Sequence, residues 1–289
     1  MAKDELLVQS EFFSGESGCD LYFKPEWNGP TRAHKDRWAT VAIRLAKQAG
    51  ATKVVVLTSG NQGLALAVEA IKNGVECFIS TEAAIDPIYL DLFKKYSAVV
   101  YLAEDEKTQY EKYEEIIGQG YYPIGVTHEE RAEGRQMPAI DAYKVTAKEI
   151  VESLGGSPDI IVFPTAYADH PMGVLRGFED MFDSKKIDAM PKFILARANL
   201  AEGGNAKSIA TNRTTPYIKD VIKRSNGKDY FVNDDEMRKA QDDIFKKHGW
   251  KVELSSAASL AVLEKIPKNQ LKNKKVVVML TALEDKTGI

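Results

Sequence analysis

Three short runs rich in β-branched residues constrain this chain more than anything else in it: K-V-V-V-L at 53–57, D-I-I-V-F at 159–163 and K-V-V-V-M-L at 275–280. Each is apolar without alternation, so each suits a strand buried on both faces. Sheets of that kind are parallel and covered by helices, and parallel strands need a long crossover between them. The intervening segments supply it. The run at 53–57 ends in T-S-G-N-Q-G, residues 58–63, and a helical pattern follows to residue 72, which makes the first half of a βαβ unit. The alternation continues with strands expected at 76–80 and 98–102 and helices at 87–96 and 108–117. Periodicity is lost over 127–137, a charged connection. A long helix over 139–154 then leads to the second strong strand, followed by a helix at 174–182 and a strand at 193–197. Helices are expected at 215–223, 234–247 and 256–265 before the last strand. The expected fold class is α/β, with two lobes, each a mainly parallel twisted sheet flanked by helices. Residues 1–36 and 144–289 are expected to form the large domain and 37–143 a small mobile one. A cleft between the lobes is the expected ligand site.

Composition narrows the classes of function. With 289 residues, 44% of them hydrophobic and 28% charged, the chain has the make-up of an ordinary globular protein with ample core. A net charge of -3 gives no surface suited to nucleic acid or anionic lipid. No apolar run approaches the ~20 residues that span a bilayer, and the first residues lack an apolar signal core, so no membrane partner and a cytoplasmic location are expected. Cys19 and Cys77 are too far apart in sequence to read as a disulfide scaffold, and no histidine pair has metal-ligand spacing, so no metal is expected.

The chemistry gathers in four stretches. N-G-P-T-R-A-H-K-D-R, residues 28–37, follows a strand candidate at 21–24 and opens a helical pattern that runs to 49. Gly29 and Pro30 mark a turn, Thr31 can act as N-cap or turn residue, and Lys35 falls where the helix begins. A cation is poorly placed at that end of the helix dipole. Lys35 is therefore either a solvated first-turn lysine or an amine with a pKa lowered by burial and the dipole, ready to form a Schiff base. In 58–63, backbone N–H groups at a helix start can hold an anion, or Asn61 can simply cap the helix. P-T-A-Y-A-D-H-P-M-G, residues 164–173, leads into a helix expected to begin near Gly173. It can form a nest of amides or an ordinary loop. The fourth stretch, T-A-L-E-D-K from Thr281, closes the final strand.

Taken together these stretches resemble the pyridoxal-phosphate enzymes of fold type II, the tryptophan-synthase-beta family, and among them most closely the threonine synthases. Thr31, Ala33, His34 and Lys35 look like the T-G-A-H-K of the tryptophan synthase beta subunit; Lys35, Asp36 and Arg37 look like the end of the N-P-T-G-S-F-K-D-R of threonine synthases. Arg32 departs from both, standing where they have glycine. Gly60, Asn61 and Gly63 fit the G-N-x-G of S-x-G-N-x-G, with Gln62 at the variable place and Ser59 directly before Gly60. Thr165, Tyr167 and Asp169 keep the frame of P-T-S-Y-G-D-G, while Ala166 and Ala168 lack glycine's freedom at positive φ. Thr281 matches the threonine of the l-T-G-h-G-L-K-D ending. Further family-like stretches are R-A-E-G at Arg131, S-I-A-T-N-R at Ser208 and V-E-L-S-S-A-A-S-L-A at Val252, so the likeness covers nearly the whole chain.

The resemblance implies pyridoxal 5'-phosphate as cofactor and Lys35 as the catalytic lysine that carries it. It implies that Asn61, Thr165, Ala166, Tyr167, Ala168, Asp169 and Thr281 bind the cofactor, residues 165–169 at its phosphate and Thr281 at its ring nitrogen. Thr31, Ser59, Gly60 and Gln62 would hold an amino-acid substrate by its carboxylate. A neutral hydroxyl at the ring nitrogen implies elimination or replacement at the β or γ carbon rather than transamination. The expected activity is that of a lyase acting on an amino acid or phosphorylated amino acid in the manner of threonine synthase. The alternatives are a serine or threonine dehydratase-like deaminase and a non-catalytic relative that binds the cofactor or a nucleotide. A homodimer is the assembly the family suggests. Family members begin with a longer portion holding a T-P-L motif that caps the site, whereas about twenty residues precede the first expected strand here, so a differently capped or more open site is expected.

Overall fold

The computed structural model describes residues 6–58, 60–125, 138–199, 205–211 and 214–289. Its strands fall into two sheets. Across the larger one the order is β1 (Val8–Gln9), β2 (Asp20–Pro25), β10 (Lys275–Leu280), β7 (Ile160–Pro164), β8 (Lys192–Ala198) and β9 (Lys228–Val232). Only β1 runs antiparallel to its neighbour. Across the smaller sheet β5 (Val99–Ala103), β4 (Glu76–Glu82), β3 (Lys53–Leu57) and β6 (Tyr122–Ile124) are all parallel. The three apolar runs are inner strands, and every residue of β7 is buried, as are Val54–Leu57 and Val276–Leu280. That is the physical reason they carry no polar alternation.

The chain divides into two compact units, one of Met1–Asn28 with Tyr143–Asp285, the other of Gly29–Ala142 with Lys286–Ile289. Helices α2 (Lys35–Gln48), α3 (Asn61–Lys72), α4 (Pro87–Lys95) and α5 (Glu106–Gly118) belong to the smaller sheet's unit. The larger unit holds α1 (Glu11–Ser17), α6 (Lys144–Leu154), α7 (Asp169–Asp183), α8 (Pro216–Arg224), α9 (Asp234–His248), α10 (Leu254–Ala261) and the short α11 (Lys268–Leu271).

Several element boundaries differ from the sequence reading. The helix expected from Gly173 begins at Asp169 instead, because Pro171 sits in its first turn, where a missing N–H costs nothing. The helix expected over 139–154 splits into a 3-10 segment, Pro138–Tyr143, and α6, and that expected over 256–265 splits into α10 and a 3-10 segment, Val262–Lys265. The residues before the first expected strand contain β1 and α1. Both β6, with Pro123, and β9, with Lys228 and Asp229, are edge strands, where proline and charge are tolerated and the apolar signal is weak.

At the carboxyl end of β2 a lysine is wholly buried. Lys24 Nζ lies 2.9 Å from Glu26 Oε1 and 2.9 Å from Glu149 Oε2 on α6, and the Thr146 hydroxyl donates to Glu26 Oε1 at 3.2 Å. The Glu26 N–H donates to the carbonyl of Leu280, so this ion cluster fixes how the chain leaves the sheet after Pro25. On another face His248, ending α9, stacks on Trp250 with centroids 4.5 Å apart, meets Phe23 edge-on and contacts the Ser10 hydroxyl through Nε2 at 2.9 Å. Burial lowers its pKa from 6.5.

Candidate active site

Ten residues after β2 ends, the chain reaches Lys35, the first residue of α2. The turn before it is built around Asp36. The Thr31 N–H donates to Asp36 Oδ2 at 3.0 Å and the Thr31 hydroxyl to Oδ1 at 2.7 Å. A Cβ at Gly29 would stand 2.2 Å from Asp36 Oδ2, so only glycine lets this carboxylate close the turn. Lys286 Nζ, buried in the same unit, donates to the Thr31 carbonyl at 3.4 Å. Desolvation raises the Asp36 pKa, opposed by the Thr31 and Ala33 hydrogen bonds and by the charge of Lys286. Thr31 is thus a turn residue and not the N-cap, which is His34. Arg32 takes φ 54°, a conformation that costs a non-glycine residue about 1–2 kcal/mol, so the turn is kept where the family's glycine is missing. Lys35 is half-buried, with Nζ 5.9 Å from the centroid of the buried Trp38 ring.

The turn after β3 is held by Thr58. Its Oγ1 accepts the N–H of Gly63 at 3.0 Å and of Gly60 at 3.3 Å, which gives the start of α3 its cap. A Cβ at Gly63 would come 2.5 Å from Thr58 Cγ2, so that glycine is a packing requirement. The N-cap position is Gly60; Asn61 is the first helical residue, and its Oδ1 accepts the Tyr89 hydroxyl of α4 at 2.9 Å. Asn61 is therefore not the cap. Gln62 is half-buried beside it, and Ser59 lies outside the described residues, as does Arg131 of the R-A-E-G stretch.

In the larger unit, Thr165 and Thr281 occupy equivalent places. Val276, Val277 and Val278 of β10 pair with Ile160, Ile161 and Val162 of β7, and the same offset carries Thr281 to Thr165 at the carboxyl ends of the two neighbouring strands. Ligands of parallel α/β sheets bind outside such ends. Both threonines are buried. Thr165 Oγ1 accepts the Ala168 N–H at 2.9 Å, which folds 165–168 into a turn opening α7. Ala168 takes φ 66°, so this alanine adopts the conformation reserved for glycine instead of removing it. Ala166 is buried, the Tyr167 carbonyl accepts the Thr215 hydroxyl at 3.1 Å, and Asp169 starts the helix. Thr281 Oγ1 lies 2.9 Å from the Ser256 hydroxyl of α10. Thr58, Tyr89, Thr215 and Ser256 were not singled out by the sequence reading; Thr58 and Ser256 lie in stretches that carry the family likeness, Tyr89 and Thr215 do not.

This is the arrangement of an α/β enzyme that gathers hydroxyls and helix N-termini at the carboxyl ends of parallel strands. The chain belongs to the family described as pyridoxal-phosphate dependent enzyme, whose model matches residues 4–282. It is 28% identical to a threonine synthase of Halalkalibacterium halodurans over 94% of this chain and 79% of that one. With a threonine synthase of Synechocystis it shares 28% identity over 90% of this chain and 70% of the relative. The crystal structure of serine racemase from Dictyostelium discoideum matches with a TM-score of 0.80 at 21% identity, covering 96% of this chain and 92% of that one, which is a likeness of fold.

The residues present fit the cofactor. The Thr165 hydroxyl, having accepted the Ala168 N–H, keeps its own proton to donate, and it adjoins the N-terminal turn of a 15-residue helix, the positive end of its dipole. That donor set suits a phosphate. Among the described residues no group of three or more His, Cys, Asp or Glu could hold a metal ion, and no helix is long and apolar enough to cross a membrane.

Proposed function

We propose that the protein catalyses a threonine synthase-like elimination and replacement at the β or γ carbon of an amino acid or phosphorylated amino acid. The observation that carries this reading is the neutral hydroxyl of Thr281, in register with Thr165 at the adjacent strand end, where a carboxylate would make a stronger electron sink. Its support from relatives is the likeness to threonine synthases over most of the chain. Pyridoxal phosphate, when bound, supplies an electron sink for negative charge on carbons near the substrate's amino group. Lys35 is the lysine that carries it and that takes and returns protons at those carbons. Residues 165–169 hold the phosphate, Thr281 donates to the ring nitrogen, and Asn61 donates to the phenolic oxygen. Thr31, Ser59, Gly60 and Gln62 bind the substrate carboxylate. A cytoplasmic homodimer completes the reading, to be checked by light scattering.

The test offers the holoenzyme a phosphorylated hydroxy-amino acid and, separately, free serine and threonine. Release of inorganic phosphate with the amino group kept on the product supports the proposal. Keto acid and ammonia from serine or threonine, with no phosphate release, would replace it by the deaminase reading. No turnover of either, with cofactor bound, would leave a cofactor-binding relative.

A further inference from the structure

We propose that Ser256 is a positioning residue that dictates the direction of the Thr281 hydroxyl proton, so that the ring nitrogen of the cofactor meets a hydrogen-bond donor. The inference rests on the assignment of Thr281 above and adds the residue that acts through it. A serine oxygen has two lone pairs and one proton, which limits the bonds it can make. Ser256 Oγ receives the N–H of Ala282 at 2.9 Å and the N–H of Thr281 at 3.2 Å. Those two donors fill its acceptor capacity. In the 2.9 Å contact with Thr281 Oγ1 the proton therefore comes from Ser256, which has the Ala282 carbonyl, at 3.2 Å, as its longer alternative. Thr281 is then the acceptor towards Ser256, and its own proton is donated away from α10.

The neighbouring bonds keep Ser256 in this role. The Ser259 hydroxyl lies 2.7 Å from the Ser256 carbonyl and 2.6 Å from the Met279 carbonyl, its one proton shared between the two acceptors, and the Glu253 N–H donates to the Ala282 carbonyl at 3.0 Å. The first turn of α10 is thus stitched to the end of β10 on both sides of Thr281. Ser256 is fully buried, so water does not compete for its lone pairs. A ring nitrogen facing an obligatory donor keeps its lone pair and stays unprotonated, whereas a hydroxyl free to rotate could offer either its proton or a lone pair.

The experiment loads the holoenzyme with pyridoxal phosphate carrying 15N in the ring and compares the 15N resonance in the parent, Ser256→Ala, Ser256→Cys and Thr281→Val. Melting of the four proteins without cofactor reports the packing cost separately. The expected result is that Ser256→Ala moves the resonance in the same direction as Thr281→Val, with Ser256→Cys, a weaker donor and acceptor of similar size, in between. If the alanine variant does not fold, the cysteine variant carries the comparison, and it must still move the resonance in that direction. A resonance unmoved by the Ser256 substitutions but moved by Thr281→Val would overturn the role of Ser256 and leave the assignment of Thr281 standing. A resonance unmoved by Thr281→Val would overturn both.

Discussion

The Tyr89 hydroxyl donates to Asn61 Oδ1 at 2.9 Å, and this turns the amide NH2 of Asn61 to the opposite side. An asparagine whose oxygen is occupied in this way can only donate with its other end. Tyr89→Phe should cost about 1 kcal/mol of stability, the usual net worth of one such bond. If Asn61 faces the phenolic oxygen as proposed, it should also shift the absorbance maximum of the bound cofactor, because the amide loses the bond that orients it. Titration of pyridoxal phosphate into parent and variant, with spectra, checks this. A stability loss with an unchanged spectrum would reduce Tyr89 and Asn61 to a packing contact.

Thr165→Val removes the only side-chain hydroxyl among residues 164–166 and leaves the buried Ala168 N–H without its 2.9 Å acceptor. Cofactor affinity should fall about tenfold, the equivalent of ~1.4 kcal/mol. Ala168→Gly should act differently. Relief of the left-handed alanine, about 1–2 kcal/mol, is offset by the greater freedom of glycine in the unfolded chain, about 0.4–1 kcal/mol, and by loss of a buried methyl worth roughly 0.8 kcal/mol. Stability and cofactor retention should therefore stay near those of the parent. Equilibrium dialysis and denaturant titration read both.

The ion cluster at Lys24 should be intolerant of losing its cation. Lys24→Met would leave Glu26 and Glu149 together near the end of β2 with no counter-charge from that position, and breaking a buried pair in this way costs about 3–5 kcal/mol. Guanidinium titration should show the loss as a lower midpoint at unchanged slope. A change below about 1 kcal/mol would mean that water reaches the site.

Stability should depend on pH through His248. Burial lowers its folded pKa from 6.5, so the unfolded chain takes up the proton first as the pH falls. The contribution is complete above about pH 6.5 and is lost progressively below it. His248→Gln should flatten that part of the stability profile between pH 7.5 and 5.5. The comparison is of slopes, since the variant also loses the stacking on Trp250.

Inner elements of this fold were legible because burial on both faces leaves a run such as 53–57 with no polar residue inside it. Edge elements were not: β6 carries Pro123, β9 carries Lys228 and Asp229, and β1 is two residues long. At the site, motif order placed Lys35 at a helix start and the turn 58–63 after a strand, as found. What composition could not reveal were the partners brought in from afar, Tyr89 for Asn61, Ser256 for Thr281 and Lys286 for Thr31, since each depends on tertiary contact alone. Nor did residue type predict that Arg32 and Ala168 would hold positive φ; surrounding hydrogen bonds, such as that from Ala168 to Thr165, outweigh the intrinsic cost.

Borohydride trapping tests directly whether Lys35 carries the cofactor. The holoenzyme is reduced with borohydride, digested and mapped by mass spectrometry, in parallel with Lys35→Ala. A stable adduct of pyridoxal phosphate is expected on the peptide containing residues 33–37 of the parent and none in the variant. An adduct on any other lysine of the parent, or cofactor still bound covalently to Lys35→Ala, would contradict it.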